Sequence, residues 1–225
     1  LQALTEEIDI IFLCNPNNPT GLLVEKPLLE KILKRCQELD ILMAVDECFL
    51  DFVPSPEKYT LKEYLETYDN LFLLKAFTKR YAMAGVRLGY GLCGNKRLLE
   101  KIEGVCQPWN VSSMAQAAGL AALQEREYVE KGRQVTFQEL AYLKEELAAL
   151  GYLVYPSQAN YVFFTGPADL YEKLEQKKIL IRDCSNYTGL SKGYYRVAVK
   201  KHEENQQLIR ALKEIDRTKV ENVIL

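Results

Sequence analysis

The sequence predicts an α/β protein: a mostly parallel β-sheet in its first part, followed by a smaller α+β domain. Three observations predict this. Short apolar, β-branched runs alternate with an amphipathic helical stretch before Gln124. Beyond that residue charge density rises and a long helical stripe begins. Polar residues also gather where the apolar runs of the first part end. With 225 residues and about 150 residues per ordinary domain, the chain amounts to roughly one and a half domains.

Taken in order, Ile8 to Cys14 is an apolar run with the pattern of a buried strand, ending in Asn15-Pro16-Asn17-Asn18-Pro19-Thr20-Gly21, which regular structure cannot accommodate. Leu29, Ile32, Leu33, Cys36 and Leu39 then line one face of a helix, with Glu30, Lys31, Lys34, Arg35 and Glu38 on the other. Ile41 to Val45 is a second strand, closed by Asp46-Glu47, and strand, loop, helix, strand is the βαβ unit of a parallel sheet. Leu71 to Leu74 is a third strand leading to Lys75-Ala76-Phe77-Thr78-Lys79, and Val86 to Cys93 is a fourth, glycine-rich patch. Phe137, Leu140, Leu143, Leu147 and Leu150 stripe a long helix that stops at Gly151, a C-cap. Short strands follow near Tyr152–Tyr155, Asn160–Phe164, Ile179–Arg182 and Tyr194–Val199, with helices at Ala168–Lys177 and after Lys201. The expected domains are 1–124 and 125–225, the second including the linking helix. Residues 217–225 suggest no definite element.

Composition excludes several function classes. The chain is 48% hydrophobic and 27% charged, so disorder and disulfide scaffolds are ruled out. A net charge of -2 gives no reason to expect nucleic acid or an anionic membrane as partner. The longest uncharged stretch, Gly104–Gln124, carries too many polar residues to span a bilayer. No signal peptide is visible at the start, and the six cysteines, at 14, 36, 48, 93, 106 and 184, form no CxxC pair. They read as buried free thiols of a cytoplasmic protein. With His202 as the single histidine, triads and multi-histidine metal sites have almost no material. His202 opens a polar helix and is expected to face solvent; no metal site is expected.

In open α/β sheets ligands bind beyond the carboxyl ends of the strands. Asn18, Asp46 and Lys79 follow the first, second and third strands, respectively. An amide, a carboxylate and a lysine on one rim suit a pyridinium cofactor. Its chemistry needs a desolvated amine as nucleophile, a carboxylate by the ring nitrogen and a cation for a phosphate. Coming after five apolar residues, the Asp46 charge is expected to have a cationic partner, since burial unpaired costs several kcal/mol.

Four segments carry a resemblance to a known family: Asn15 to Gly21, Val45-Asp46-Glu47-Cys48-Phe49-Leu50-Asp51-Phe52, Phe77 to Tyr90 with Thr78-Lys79 and Gly85-Val86-Arg87, and Tyr195-Arg196-Val197-Ala198-Val199. In their order and spacing the chain resembles fold-type I pyridoxal-phosphate enzymes of aminotransferase class I/II, in the branch of histidinol-phosphate aminotransferase and threonine-phosphate decarboxylase. The resemblance implies pyridoxal 5'-phosphate as cofactor and Lys79 as the lysine that binds it covalently and shuttles a proton. The step of eight from Lys79 to Arg87 selects this lysine over Lys75, whose counterpart would be Met83. It further implies that Asp46 pairs with the pyridine nitrogen, Asn18 contacts the ring hydroxyl oxygen, and Thr78 and Arg87 hold the phosphate. Arg87 is expected to sit in a neighbourhood buried by Leu88, Gly89 and Tyr90. Arg196 is implied to grip the substrate carboxylate, a task suited to its planar fork. Glu47 points to the other side of the strand and is left out.

Phe49 stands where most aminotransferases of this class have a tyrosine, and Ala76 replaces a serine or threonine. With Ile181 to Leu190 and Gly193 to Arg196 these departures are more similar to the decarboxylases, and they make Arg182 a second candidate anion-binding arginine. The expected activity is decarboxylation of an O-phosphorylated amino acid, threonine phosphate above all, towards the corrinoid side chain. Transamination of histidinol phosphate or a similar amine is the alternative. A homodimer is implied by the resemblance. So is a preceding stretch carrying a phosphate-binding glycine/serine loop and a stacking aromatic, so a fragment that is inactive and binds the cofactor weakly is the reading from another class.

Overall fold

The computed structural model describes residues 1–223, with side chains through residue 216. It separates into two compact units, one of Leu1–Asn17 with Leu23–Lys131, the other of Asn18–Leu22 with Gly132–Leu225. The unit division near Lys131–Gly132 falls inside a helix rather than at residue 124.

The first unit is built on β1 (Ile10–Cys14), α1 (Lys26–Glu38), β2 (Leu42–Asp46), β3 (Leu71–Ala76), α2 (Phe77–Arg80), β4 (Gly89–Cys93), α3 (Lys96–Val105) and α4 (Ser113–Ala122). Its described strands form one sheet in the order β1-β2-β3-β4, parallel except for β4, which runs antiparallel to β3. The mostly parallel sheet expected from the sequence is therefore present. Leu29, Leu33 and Cys36 on α1 pack on Met43 and Val45 of β2 and Leu71 and Leu73 of β3, which is the apolar stripe meeting alternate strand residues. Pro27 lies in the first turn of α1, where a missing N–H costs nothing. The side chains of Asn95 and Ser112 cap α3 and α4 by accepting the N–H of Leu98 and Ala115, each at 3.1 Å.

Expectation and structure differ at β1. The sequence reads as a buried strand, yet Phe12 is 70% exposed and Ile10 41%. The strand is an edge of the described sheet, and α1 covers only one of its faces, so alternate residues point outward.

The second unit takes most of α5 (Arg126–Ala149), then β5 (Leu153–Val154), β6 (Tyr161–Thr165), α6 (Leu170–Gln176), β7 (Arg182–Asp183), β8 (Tyr194–Ala198) and α7 (His202–Val223). Its strands form an antiparallel sheet ordered β5-β6-β8-β7. Leu140, Leu143 and Leu147 of α5, with Leu208, Ile209 and Leu212 of α7, cover Val162 and Phe164 of the central strand. Gly151 carries φ 81° and ends α5 as expected of a glycine C-cap. Gly21 has φ 71°, and a Cβ there would run into the side chain of Ser157, so only glycine fits.

His202 is exposed, as expected, and it also has partners on α5 and α7. Its Nδ1 lies 3.0 Å from Glu139 Oε1, and Asn205 Nδ2 donates to Glu139 Oε2 at 2.8 Å. Glu139 is a buried carboxylate, and burial without such partners is costly, so α7 supplies them across to α5.

None of the six cysteines is joined in a disulfide, but Cys36 and Cys184 alone are buried; Cys106 is exposed and the other three lie between. Burial, then the hydrogen bond and negative charge of Asp46, push the Cys48 thiol up to about 12. Iodoacetamide at about pH 8 is therefore expected to alkylate Cys106 well before Cys48, because the thiolate is the nucleophile. Peptide mass spectrometry after partial labelling checks this; equal rates at the two sites would contradict it. The sign for stability follows from the same shift. The folded state holds this proton more tightly, so its contribution is complete below the unfolded thiol's 9.0 and is lost as pH rises through about 12.

Candidate functional site

In the first unit the polar residues stand at the carboxyl ends of β2 and β3. Asp46 closes β2, half-buried, after three buried residues. Its Oδ1 accepts the N–H of Cys48 at 2.9 Å, a side-chain turn that sets the direction of the carboxylate. The backbone continues the parallel ladder there, with the N–H of Asn15 donating to the Asp46 carbonyl at 2.9 Å.

The expected cationic partner of Asp46 is not found: among the described residues Asp46 makes no ion pair. The lysine goes to its neighbour. Lys75 Nζ lies 2.7 Å from Glu47 Oε2, and the Glu47 side chain is fully buried. The Thr60 hydroxyl shares its one proton between the two Glu47 oxygens, 3.0 and 2.9 Å from Oγ1, and the Leu61 N–H reaches Oε1 at 3.3 Å. Asp46 tolerates its lack of a cation because it is only partly buried and holds a backbone N–H, whereas Glu47, out of water, needs a full set of partners. Sequence reasoning missed this pair. The available signal was a lysine within Leu73-Leu74-Lys75-Ala76, since a charge in an apolar strand calls for a counter-ion.

Thr78 and Lys79 lie on α2, a single turn that begins directly after β3. Thr78 is half-buried and Lys79 exposed, so the desolvation expected for the amine is not supplied by the described residues. Its Nζ stands 5.4 Å from the centre of the Phe49 ring, in the loop after β2. That cation–π contact ties the lysine to the segment that follows Asp46.

Arg87 also departs from expectation. It is exposed, with Gly89 and Tyr90 exposed beside it rather than burying it, because β4 is the other edge of the described sheet. Its backbone is left-handed at φ 59°, and Nη1 donates to the Ala84 carbonyl at 2.9 Å. That bond holds the guanidinium against the turn formed by Ala84–Val86.

Asn18 belongs by its contacts to the second unit. There its Oδ1 accepts from Arg196 Nη1 and from the Tyr187 hydroxyl at 3.4 Å. With Oδ1 taken, its amide nitrogen is the group left to donate. Arg196 on β8 also lies over the Tyr161 ring at 5.1 Å. Arg182 is its cross-strand partner on β7, in direct register. Arg182 Nη2 donates to Asn186 Oδ1 at 2.9 Å, and its guanidinium sits 5.8 Å from the Tyr187 ring. Like charges directly opposite on a sheet destabilise it, so two arginines held there by neutral partners are a cost to the fold and a resource for binding anions. Both line one cleft of about 390 Å³, together with Lys178 and Lys200. Tyr187, Asn186 and Tyr161 were not assigned from sequence, although Asn186-Tyr187 lies inside the segment with Arg182.

Among the described residues no cluster of His, Cys, Asp and Glu could hold a metal, and no helix is long and apolar enough to cross a membrane.

Comparison with known proteins adds to this geometry. The threonine-phosphate decarboxylase of Salmonella typhimurium is 38% identical over 219 residues, which are 96% of this chain and 60% of that protein. The histidinol-phosphate aminotransferase of Methanococcus aeolicus is 32% identical over 96% of this chain and 58% of that one. Among solved structures, the histidinol-phosphate aminotransferase of Clostridium acetobutylicum superposes with a TM-score of 0.90 at 32% identity, covering 95% of this chain and 65% of its own. The chain thus spans about three-fifths of the length of the curated relatives it matches. The family model for aminotransferase class I and II matches residues 1–212. The chain belongs to the aminotransferase class I and II family.

Proposed function

We propose that the protein is a pyridoxal-phosphate-dependent decarboxylase of an O-phosphorylated amino acid, of the threonine-phosphate type that serves corrinoid side-chain synthesis. The observation that carries the reading is the arginine pair. Arg182 and Arg196 are cross-strand neighbours lining one cleft, and a substrate with both a carboxylate and a phosphate offers an anion to each. The stronger identity to a threonine-phosphate decarboxylase, 38% against 32% for the aminotransferase of Methanococcus aeolicus, supports the same choice.

The residues present fit the cofactor by their chemistry. Asp46 has one oxygen engaged by Cys48 and the other to offer a ring N–H. Thr78 supplies a hydroxyl, Arg87 a guanidinium for a phosphate, and Asn18 an amide donor for a ring oxygen. When bound, the cofactor supplies an electron sink that stabilises the negative charge left when a bond to the substrate α-carbon breaks. The chain's own part is orientation and proton handling. Arg196 would grip the carboxylate and Arg182 the phosphate, fixing how the substrate is oriented. Lys79 would hold the cofactor through its amine and would hold and return a proton at Nζ. Asp46 would offer its carboxylate to the ring nitrogen. The resemblance to the family supports a homodimer.

A direct assay tests the reading. The full-length protein with O-phosphothreonine is expected to release carbon dioxide without any oxo-acid. Turnover that requires 2-oxoglutarate and releases no carbon dioxide would replace it with the aminotransferase reading, which the similarity to histidinol-phosphate aminotransferases favours.

A further inference from the structure

The ion pair of Glu47 and Lys75 has no part in the reactions above, yet its carboxylate is fully buried and held by three donors. Glu47 directly follows Asp46, and Lys75 lies four residues before Lys79. Both Glu47 oxygens are occupied, Oε2 by Lys75 and Thr60, Oε1 by Thr60 and the Leu61 N–H. With both oxygens engaged and the side chain fully buried, Glu47 is not available to a substrate. Its own N–H donates to the Leu74 carbonyl at 3.0 Å, one step beyond the Asp46–Leu74 register pair. Main chain and side chain of Glu47 therefore fasten the end of β2 to the end of β3. They do so where the two strands deliver the carboxylate and the lysine. Lys75 in turn faces Tyr90 across β3 and β4, so the fastening reaches the strand that follows Arg87.

We propose that Glu47 and Lys75 are positioning residues, an internal clamp that keeps Asp46 and Lys79 in fixed register for the cofactor. This rests on the reading that Asp46 and Lys79 hold pyridoxal phosphate. The physical argument is one of geometry against stability. An apolar pair could fill the same buried space as stably, but it would not demand one alignment of the two strand ends, whereas a carboxylate with three donors does. A cofactor site tolerates displacements of only about 0.5 Å before binding and rate suffer.

The test uses the full-length apoprotein, pyridoxal phosphate as the probe, and two readouts. These are the cofactor dissociation constant from an absorbance titration, and the fraction of Lys79 carrying the cofactor after borohydride reduction, read by mass spectrometry. Lys75→Met leaves a buried unpaired carboxylate and is expected to compromise folding as well as binding. The deciding variant is therefore the double change Glu47→Gln with Lys75→Met, which removes both charges at nearly constant volume. It is expected to keep a melting temperature near that of the wild type while binding the cofactor about tenfold more weakly, and Lys75→Arg is expected to recover most of the affinity. A dissociation constant for the double variant within about twofold of the wild type would overturn the proposal and leave the pair a structural element only. Wild-type protein that takes up no cofactor on Lys79 would instead overturn the reading beneath it, and the clamp with it.

Discussion

Replacement of Lys79 by alanine is expected to reduce turnover of the full-length protein by about a thousandfold or more, and to abolish covalent attachment of the cofactor. On the proposed assignment two functions are lost in one side chain: the amine that would bond the cofactor, and the group that would move a proton. Lys79→Arg is expected to fare no better, because a guanidinium does not deprotonate to become a nucleophile. Lys75 cannot substitute. It is four residues earlier and already bound to a buried carboxylate at 2.7 Å. Mass spectrometry of borohydride-reduced protein checks the prediction by locating the modified lysine. A reduced adduct on any lysine other than Lys79 in the wild type would contradict the assignment, as would substantial turnover in Lys79→Ala.

The second large effect is on stability. Phe164→Ala is expected to destabilise the chain by about 3–5 kcal/mol, through lost transfer energy and the cavity left behind. Phe164 is fully buried on the central strand β6. Its ring meets Tyr152 edge-on at 5.6 Å and lies 5.9 Å from Tyr195, so truncation strips contacts from two further aromatics. Such a loss is a large share of the 5–15 kcal/mol that holds an ordinary domain folded. Urea denaturation followed by circular dichroism checks it, with a clear fall in the midpoint expected; an unchanged midpoint would show that the second unit does not depend on this core.

Local patterns made much of the architecture legible. The spacing of Leu29, Leu33 and Cys36 marked the buried face of α1, and Leu140, Leu143 and Leu147 marked that of α5, because helical period and burial are both short-range properties. The short second-unit strands near 153, 161, 182 and 194 were placed within a few residues for the same reason. What depends on partners was less legible. The exposure of Phe12 follows from β1 lying at one edge of the described sheet, and that of Tyr90 from β4 lying at the other. Neither can be read from an apolar run, which looks alike in a central and an edge strand. Asn18 was read as one of three residues on a single rim, whereas its contacts are with Arg196 and Tyr187, more than 160 residues further along.

The sequence by itself determined the family and the kinds of chemistry available: a lysine after the third strand, a carboxylate after the second, and arginines near the end of the chain. Motif order is a property of the chain and survives without coordinates. Only the tertiary structure decided which charges meet. It gave the buried cation to Glu47 rather than Asp46, set Arg182 directly across from Arg196, and linked His202 to Glu139. The physical reason is that a charge's partner is chosen by burial and distance between segments far apart in the chain, and residue type constrains that choice without making it.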